Sequence, residues 1–442
     1  MSAALHLLAA HPVPSNTALN SLLVVAVVTA VVPILSHVLP DRPPQVVLLL
    51  IGGILVGPSV LDLAHPESLS LLSDLGLGFL FLLAGYEIEP RILRSGIGRR
   101  AAWSWVVSLL LATAVVSLLT LVHWVRAPVP IAIGLTTTAL GTLLPIMRDK
   151  GMRQGTLVHS VRANGAVGEL LPVFAIALAL GAYSSWLEVA AIVAVCALGW
   201  CLIAAGRWVR GTRLERIIAA TATGTGQTTV RWSLVVLVGL LVLTSKFGVD
   251  SVLGAFLSGL ILRRWAGADV QDSFSHKLDT VGYGLFIPLF FVVSGMRLDI
   301  RSVINQPVRL IVFCVLLLFL RGGPVLLLFR GILGFVDRLR LMFLTATTLP
   351  LLVAVTELGL QDKHMLPQNA AALVGAGMVS VAVGPLIGIR LLRPVADRLQ
   401  RRKSRPAVSS DGVDQTPAVA PPLVADSSSE QVQPRPTAKD AP

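Results

Sequence analysis

The sequence predicts an all-α polytopic membrane protein with thirteen transmembrane helices, arranged as two inverted six-helix repeats with crossed, discontinuous helices. Three observations predict it. Apolar runs of about 20 residues recur along the chain, each long enough to cross a hydrocarbon core of about 30 Å. Basic residues fall on alternate loops between those runs. The two halves of the chain match each other, polar residues included.

Of the 442 residues, 54% are hydrophobic and 14% charged. A water-soluble α/β enzyme would carry shorter apolar runs and more charge, and a membrane barrel would alternate residue by residue. Reading the runs against charged and Pro/Gly breaks predicts spans at 19–39, 45–63, 70–86, 101–122, 127–147, 157–181, 186–206, 230–246, 248–264, 278–297, 308–329, 340–358 and 368–390. Residues 1–18 read as a short extracytoplasmic segment, because "MSAALHLLAAHPVPSN" has no basic flank and no long apolar stretch of the kind a cleaved signal needs.

The direction of the spans follows from charge. One set of loops carries Arg91, Arg94, Arg99, Arg100, Arg148, Lys150, Arg153, then five arginines between 207 and 231, and ends in "RLLRPVADRLQRRKSRP". The other set has Arg126, Lys246, Arg297, Arg301, Arg309 and Lys363. The crowded side belongs in the cytoplasm, which puts the N-terminus outside and the C-terminus inside the cytoplasmic membrane. The formal charge of +12 is thereby explained by loops facing a membrane's inner side and calls for no nucleic acid. Residues 394–442 read as a basic segment followed by a Pro-, Ser- and Ala-rich tail that cannot bury a core, without a Gly-rich nucleotide fingerprint. Cys196, Cys201 and Cys314 lie inside apolar runs and read as core filler. The eight histidines have no ligand spacing, so neither a resident metal nor a cofactor is expected.

The repeat pairs "LGLGFLFLLAGYEIEPRIL" (75–93) with "GYGLFIPLFFVVSGMRLDIRSVI" (282–304), setting Gly85 opposite Gly295. It also pairs "GLTTTALGTLLPIMRDKG" (134–151) with "FLTATTLPLLVAVTELG" (343–359), setting Thr136 and Thr138 opposite Thr345 and Thr347. Repeat one covers 19–181, a linking helix 186–206, and repeat two 230–393; with one extra span between them, the second unit enters the membrane from the other side. The fifth and twelfth spans carry Thr136, Thr137, Thr138, Gly141 and Pro145, and Thr345, Thr347, Thr348 and Pro350. Proline removes an internal hydrogen bond and threonine can satisfy freed backbone groups. Paired interruptions at matching positions point to a midplane ion site.

Two strong charges fall near mid-membrane: Glu169 in the sixth span and Arg321 in the eleventh. A membrane-centre charge costs about 2.5–3.5 kcal/mol on insertion scales, so it is expected to serve a function. Inversion would gather both with the two broken helices, making Arg321 the charge partner of a carrier carboxylate. Desolvation and a nearby guanidinium act oppositely on a buried carboxyl group, so Glu169 can exchange a proton for a small cation. Thr137, Thr138 and Thr347 are the expected further oxygen ligands. Glu357 could line an outer funnel, while Glu87, Glu89 and Glu188 read as interfacial. Gly52, Gly53, Gly57, Gly254, Gly259, Gly375 and Gly377 read as close helix contacts.

"LGLGFLFLLAGYEIEP", "GLTTTALGTLLPIMRDKG", "VLGAFLSGLIL", "PLFFVVSGMRLDI" and "LTATTLPLLVAVTELG" resemble, in order, signatures of the monovalent cation:proton antiporter-2 family, the Kef-type sodium/proton exchangers. The resemblance spans about residues 19–393. It implies the sodium/proton antiporter fold, a core domain beside a dimerisation domain in a homodimer, and an elevator-like alternating-access cycle moving protons against Na⁺ or K⁺. It implies a transporter, not an enzyme. The family's essential sixth-span aspartate falls at Glu169 and its eleventh-span lysine or arginine at Arg321. Electrogenic members carry a second aspartate where this chain has Gly168, which leaves stoichiometry open. A Kef-like potassium efflux protein and a sodium-coupled organic-anion symporter on the same fold are the alternatives.

Overall fold

The computed structural model describes residues 15–391 except 40–42, 127, 151, 153, 182–192, 194–196, 200, 202–227, 248–249, 267–270 and 362–364. Helix α1 (Ser15–Val38) leaves Leu19, Leu23, Val27, Ile34 and Val38 exposed. Several of these recur four residues apart, on one face. Such a face is unfavourable in water and at home in lipid.

α2 (Gln45–Val56) stops short of the expected 63, because Pro58 drives Gly57 into an extended conformation. A 3₁₀ turn (Pro66–Leu69) leads into α3 (Ser70–Glu87). α4 (Gly96–Leu121) starts at Ser95, whose Oγ accepts from Gly98 N at 3.0 Å. The fifth span is two helices, α5 (Pro128–Gly134) and α6 (Leu140–Asp149), followed by the unbroken α7 (Thr156–Gly181).

The second half begins with α8 (Thr228–Lys246) and α9 (Ser251–Trp265), the latter capped by Asp250 through Val252 N at 2.9 Å. α10 (Gln271–Val281) continues through a π-helical turn (Gly282–Phe286) into α11 (Ile287–Met296). α12 (Pro307–Leu316) likewise passes through a π turn (Leu317–Gly322) into α13 (Gly323–Leu328). The twelfth span splits into α14 (Phe335–Thr345) and α15 (Pro350–Gln361). α16 (Pro367–Pro385) ends the described chain with a further π turn (Leu386–Leu391).

Most expected spans agree with these helices within a few residues. Eight helices among the described residues are long and apolar enough to cross a membrane, and no strand occurs among them. Most of the expected linking span 186–206, the first fourteen residues and the tail from 392 lie outside the described residues.

Helices α1–α3 and α8–α11 pack into one group, and α4–α7 with α12–α16 into another. Glycines set the closest approaches in the first group. A Cβ on Gly53 of α2 would stand 2.9 Å from the Val292 carbonyl carbon and 3.0 Å from Gly295 Cα of α11. A Cβ on Gly259 of α9 would stand 2.7 Å from Tyr86 N of α3, and one on Gly85 3.4 Å from Gly259 Cα. Gly85 and Gly295 thus each lie against a glycine of a neighbouring helix, Gly259 and Gly53. Backbone approach of this kind suits a bilayer, where close van der Waals packing holds helices together.

Candidate functional site

The two breaks, 135–139 and 346–349, meet in the second group and are wholly buried. α5 ends in tightened turns, where Thr136 N donates to Ile133 O at 2.9 Å and Thr137 N to Gly134 O at 3.3 Å. Thr136 Oγ1 donates to Ile133 O and Thr137 Oγ1 to Gly134 O, both at 2.7 Å. Across the crossing, Ala139 N donates to Thr347 O at 3.0 Å and Thr138 Oγ1 to Thr345 O at 2.7 Å. The Thr137 and Thr348 hydroxyls meet at 2.6 Å. Since Thr137 donates its proton to Gly134 O, Thr348 is the donor of that pair. Ser380 of α16 accepts from Thr348 N at 3.0 Å. Pro350 opens α15 at its first position, where a missing N–H costs nothing.

Glu169 lies on α7 and is 8% exposed. Its Oε1 accepts from Leu140 N at 2.6 Å and Gly141 N at 3.3 Å, the first amides of α6. The carboxylate therefore caps a half-helix N-terminus, where the dipole favours negative charge. Its Oε2 is buried without a hydrogen-bond partner. Glu169 faces a cavity between the two helix groups, whose wall includes Glu87, Thr142, Tyr283 and Pro350.

Arg321 is fully buried in the π turn between α12 and α13. Nε donates to Thr138 Oγ1 at 2.8 Å and Nη2 to Asn164 O at 2.9 Å, while Nη1 has no partner. No ion pair joins it to Glu169 among the described residues, in contrast to the direct pairing read from the sequence. Gly168 accounts for its position: a Cβ there would stand 2.6 Å from Arg321 Nη2 and 2.7 Å from Thr138 Cβ. The guanidinium packs on the Gly168 face of α7, and Glu169, about 100° further round the helix, faces α6. The Thr138 hydroxyl bridges the guanidinium by hydrogen bonds to Thr345 O, at the negative end of α14.

The expected oxygen ligands are placed differently. Thr137 and Thr138 spend their hydroxyls at the crossing, and Thr347 Oγ1 donates to Phe343 O at 3.1 Å. Of the threonines, Thr142 lines the cavity. Pro145 lies within α6, and Gly141 lies on the cavity wall. Glu357 is bonded by Arg297 and by Ser294 Oγ (3.1 Å), tying α15 to the end of α11. It lies about 10 Å along α15 from Pro350, at a rise of 1.5 Å per residue. Glu87 was read as interfacial, yet it faces the Glu169 cavity. Ser380 and Asn164 carried no sequence signal beyond being polar in apolar helices.

The chain is similar to proteins named as cation/proton antiporters. It is 27% identical over 84% of its length to the Bacillus subtilis (strain 168) protein named "Putative Na(+)/H(+) antiporter YjbQ", covering 63% of that relative. It is 26% identical over 64% of its length to Cation/H(+) antiporter 18 of Arabidopsis thaliana, covering 37% of that one. The chain thus spans less than two thirds of these relatives. Its fold resembles that of the sodium proton antiporter MjNhaP1 of Methanocaldococcus jannaschii, with a TM-score of 0.56 and 15% identity, covering 86% of this chain and 99% of that one. The family of transmembrane sodium/hydrogen exchangers matches residues 7–393, a range that contains every described residue, and the protein belongs to that family.

Proposed function

We propose that the chain exchanges a monovalent cation, Na⁺ or K⁺, for protons across the cytoplasmic membrane by alternating access, with Glu169 as the carrier. The observation that carries this reading is one carboxylate at a helix break, with Oε1 on the α6 amides and a buried Oε2 without a partner, facing a cavity between two helix groups. The α6 dipole holds the anion without a fixed counter-ion. A proton or a small cation can therefore occupy the same carboxylate, and each displaces the other. Cation entry from one side releases the proton there; after the helix groups shift, the reverse exchange occurs on the other side.

The inverted repeat of thirteen spans is part of this reading. It is supported by the paired breaks, by the equivalent contacts of Gly85 and Gly295, and by Glu169 and Ser380, each bracing one break from the last span of its repeat. A homodimer with its C-terminus in the cytoplasm completes it. A channel would need a row of free carbonyls. Here the Ile133, Gly134, Thr345 and Thr347 carbonyls are all hydrogen-bonded. An organic-anion symporter would need a more polar cavity than one walled largely by Val46, Leu80, Phe81, Val173, Phe291 and Leu351.

The test is cation-driven proton movement in proteoliposomes, read with a pH-sensitive dye over a sodium and a potassium series. Glu169→Gln is expected to abolish exchange while the protein still inserts and purifies as the parent does. Normal exchange by that variant would end the carrier assignment.

A further inference from the structure

The cavity at Glu169 is walled by both helix groups, and each contributes a carboxylate. Glu169 and Gly141 belong to the second group; Glu87, at the last position of α3, and Tyr283, in the π turn before α11, belong to the first. The two acids converge on Gly141. Glu169 Oε1 accepts from Gly141 N at 3.3 Å. Glu87 Oε2 stands 3.7 Å, and the Tyr283 hydroxyl 3.2 Å, from where a Cβ on Gly141 would lie. A glycine at 141 leaves the space between the acids open. Glu169, which lines the same cavity, keeps one carboxylate oxygen, Oε2, buried and without a protein hydrogen-bond partner.

Two carboxylates around one small cavity suit a cation that sheds water in steps. They differ in one respect: they are carried by different helix groups. If the groups shift against each other, Glu169 and Glu87 separate. The geometry points to Glu87 as a second, one-sided cation ligand: it joins Glu169 and the Tyr283 hydroxyl around a monovalent cation when the cavity opens toward the Arg91 and Arg94 side, and is absent from the site when it opens to the other. This rests on the alternating-access reading above. It makes the affinity for the cation differ between the two faces through one side chain. The basic loop beside it, which would repel a cation at the entrance, gives that face a need for such an acid.

The experiment uses right-side-out and everted vesicles from cells producing the full chain, with half-saturating Na⁺ and K⁺ read from proton movement. Variants are Glu87→Gln, Glu87→Asp and Glu169→Gln. Removing a charge beside the site is expected to raise the half-saturating cation concentration roughly tenfold from the Arg91 side and less than about twofold from the other. Glu87→Asp is expected to recover most of the shift. If Glu87→Gln does not insert, Glu87→Asp carries the test, with a smaller shift on the same face. An unchanged or symmetric shift, with Glu169→Gln inactive, overturns the assignment of Glu87 and leaves the antiport reading standing. Normal exchange by Glu169→Gln, or none by the parent chain, overturns both.

Discussion

Gly168 tests the geometry of the crossing because two physical effects predict opposite results there. It lies inside α7, where replacing glycine by alanine should stabilise a helix by up to ~1 kcal/mol. The structure opposes this. The new Cβ would stand 2.6 Å from Arg321 Nη2 and 2.7 Å from both Thr138 Cβ and Oγ1, against an ordinary contact of about 3.5–4 Å. Neither neighbour yields easily. Thr138 is held by its amide on Gly168 O (3.1 Å) and its hydroxyl on Thr345 O, and Arg321 by two hydrogen bonds of its own. Overpacking costs about 1–3 kcal/mol, and distorting a charge-assisted hydrogen bond costs up to about 1.5–3 kcal/mol. Less the propensity gain, Gly168→Ala should destabilise by about 1.5–5 kcal/mol. Gly168→Asp meets the same clash but offers the guanidinium a carboxylate, so it should fall between alanine and the parent, although aspartate is the poorer helix former. Thermal denaturation in detergent, followed by the surviving monodisperse fraction on size exclusion, ranks the three. An alanine variant that melts at or above the parent refutes the packing of Arg321 on Gly168.

Arg321→Ala should melt below Arg321→Lys, since it removes the donors to Thr138 Oγ1 and Asn164 O and opens a cavity, a loss of about 2–5 kcal/mol. Arg321→Met, which fills the space and removes the burial of a charge, should lie closer to the parent than alanine does; equal melting of all four proteins would remove Arg321 from the crossing. Glu357→Gln breaks the contact with Arg297, whose side chain is 29% exposed, and should cost about 1–3 kcal/mol; a double-mutant cycle with Arg297→Gln should show a coupling energy clearly above zero. With glycine at 168 in place of a second carboxylate, Glu169 is the carboxylate held by the first amides of α6, so one proton should move per cation. A clamped membrane potential should then leave the exchange endpoint in proteoliposomes unchanged, and a clear shift with voltage would demand a second titrating group.

The span boundaries were legible because a bilayer imposes a length, and apolar runs meet that requirement locally. The breaks were legible for a related reason. Thr136, Thr137, Thr138 and Thr347 donate their hydroxyls to buried backbone carbonyls at the breaks, and Pro350, without an N–H, cannot donate a helix bond. The early end of α2 at Pro58 was equally local, and was lost to the apolar residues that follow it. The π turns at 282–286 and 317–322 had no comparable signal. Each inserts one residue's worth of rotation into a continuous apolar run, and only the packing around it rewards that rotation.

That same rotation is why the site was half legible. Depth along a helix follows from counting residues, so Glu169 and Arg321 could both be placed near mid-membrane. Direction around a helix changes by about 100° with each residue, and whether two charges face each other depends on the azimuth of both helices. Arg321 sits inside a π turn, where the count that sets azimuth is itself altered. The side chain then packs on α7 where Gly168 lacks a Cβ, and meets Thr138 and Asn164 O instead of Glu169. A buried charge without an opposite charge is costly, yet here each charge faces the matching end of a broken helix. Glu169 lies on the first amides of α6, and Arg321 reaches the last carbonyl of α14 through the Thr138 hydroxyl. The two breaks thus do for each charge what a direct ion pair would have done, while leaving one carboxylate oxygen of Glu169 without a protein partner. A carrier needs that arrangement: a salt bridge to Arg321 would have to be broken in every cycle, whereas a helix terminus holds the carboxylate in place whether a proton, a cation or neither is bound.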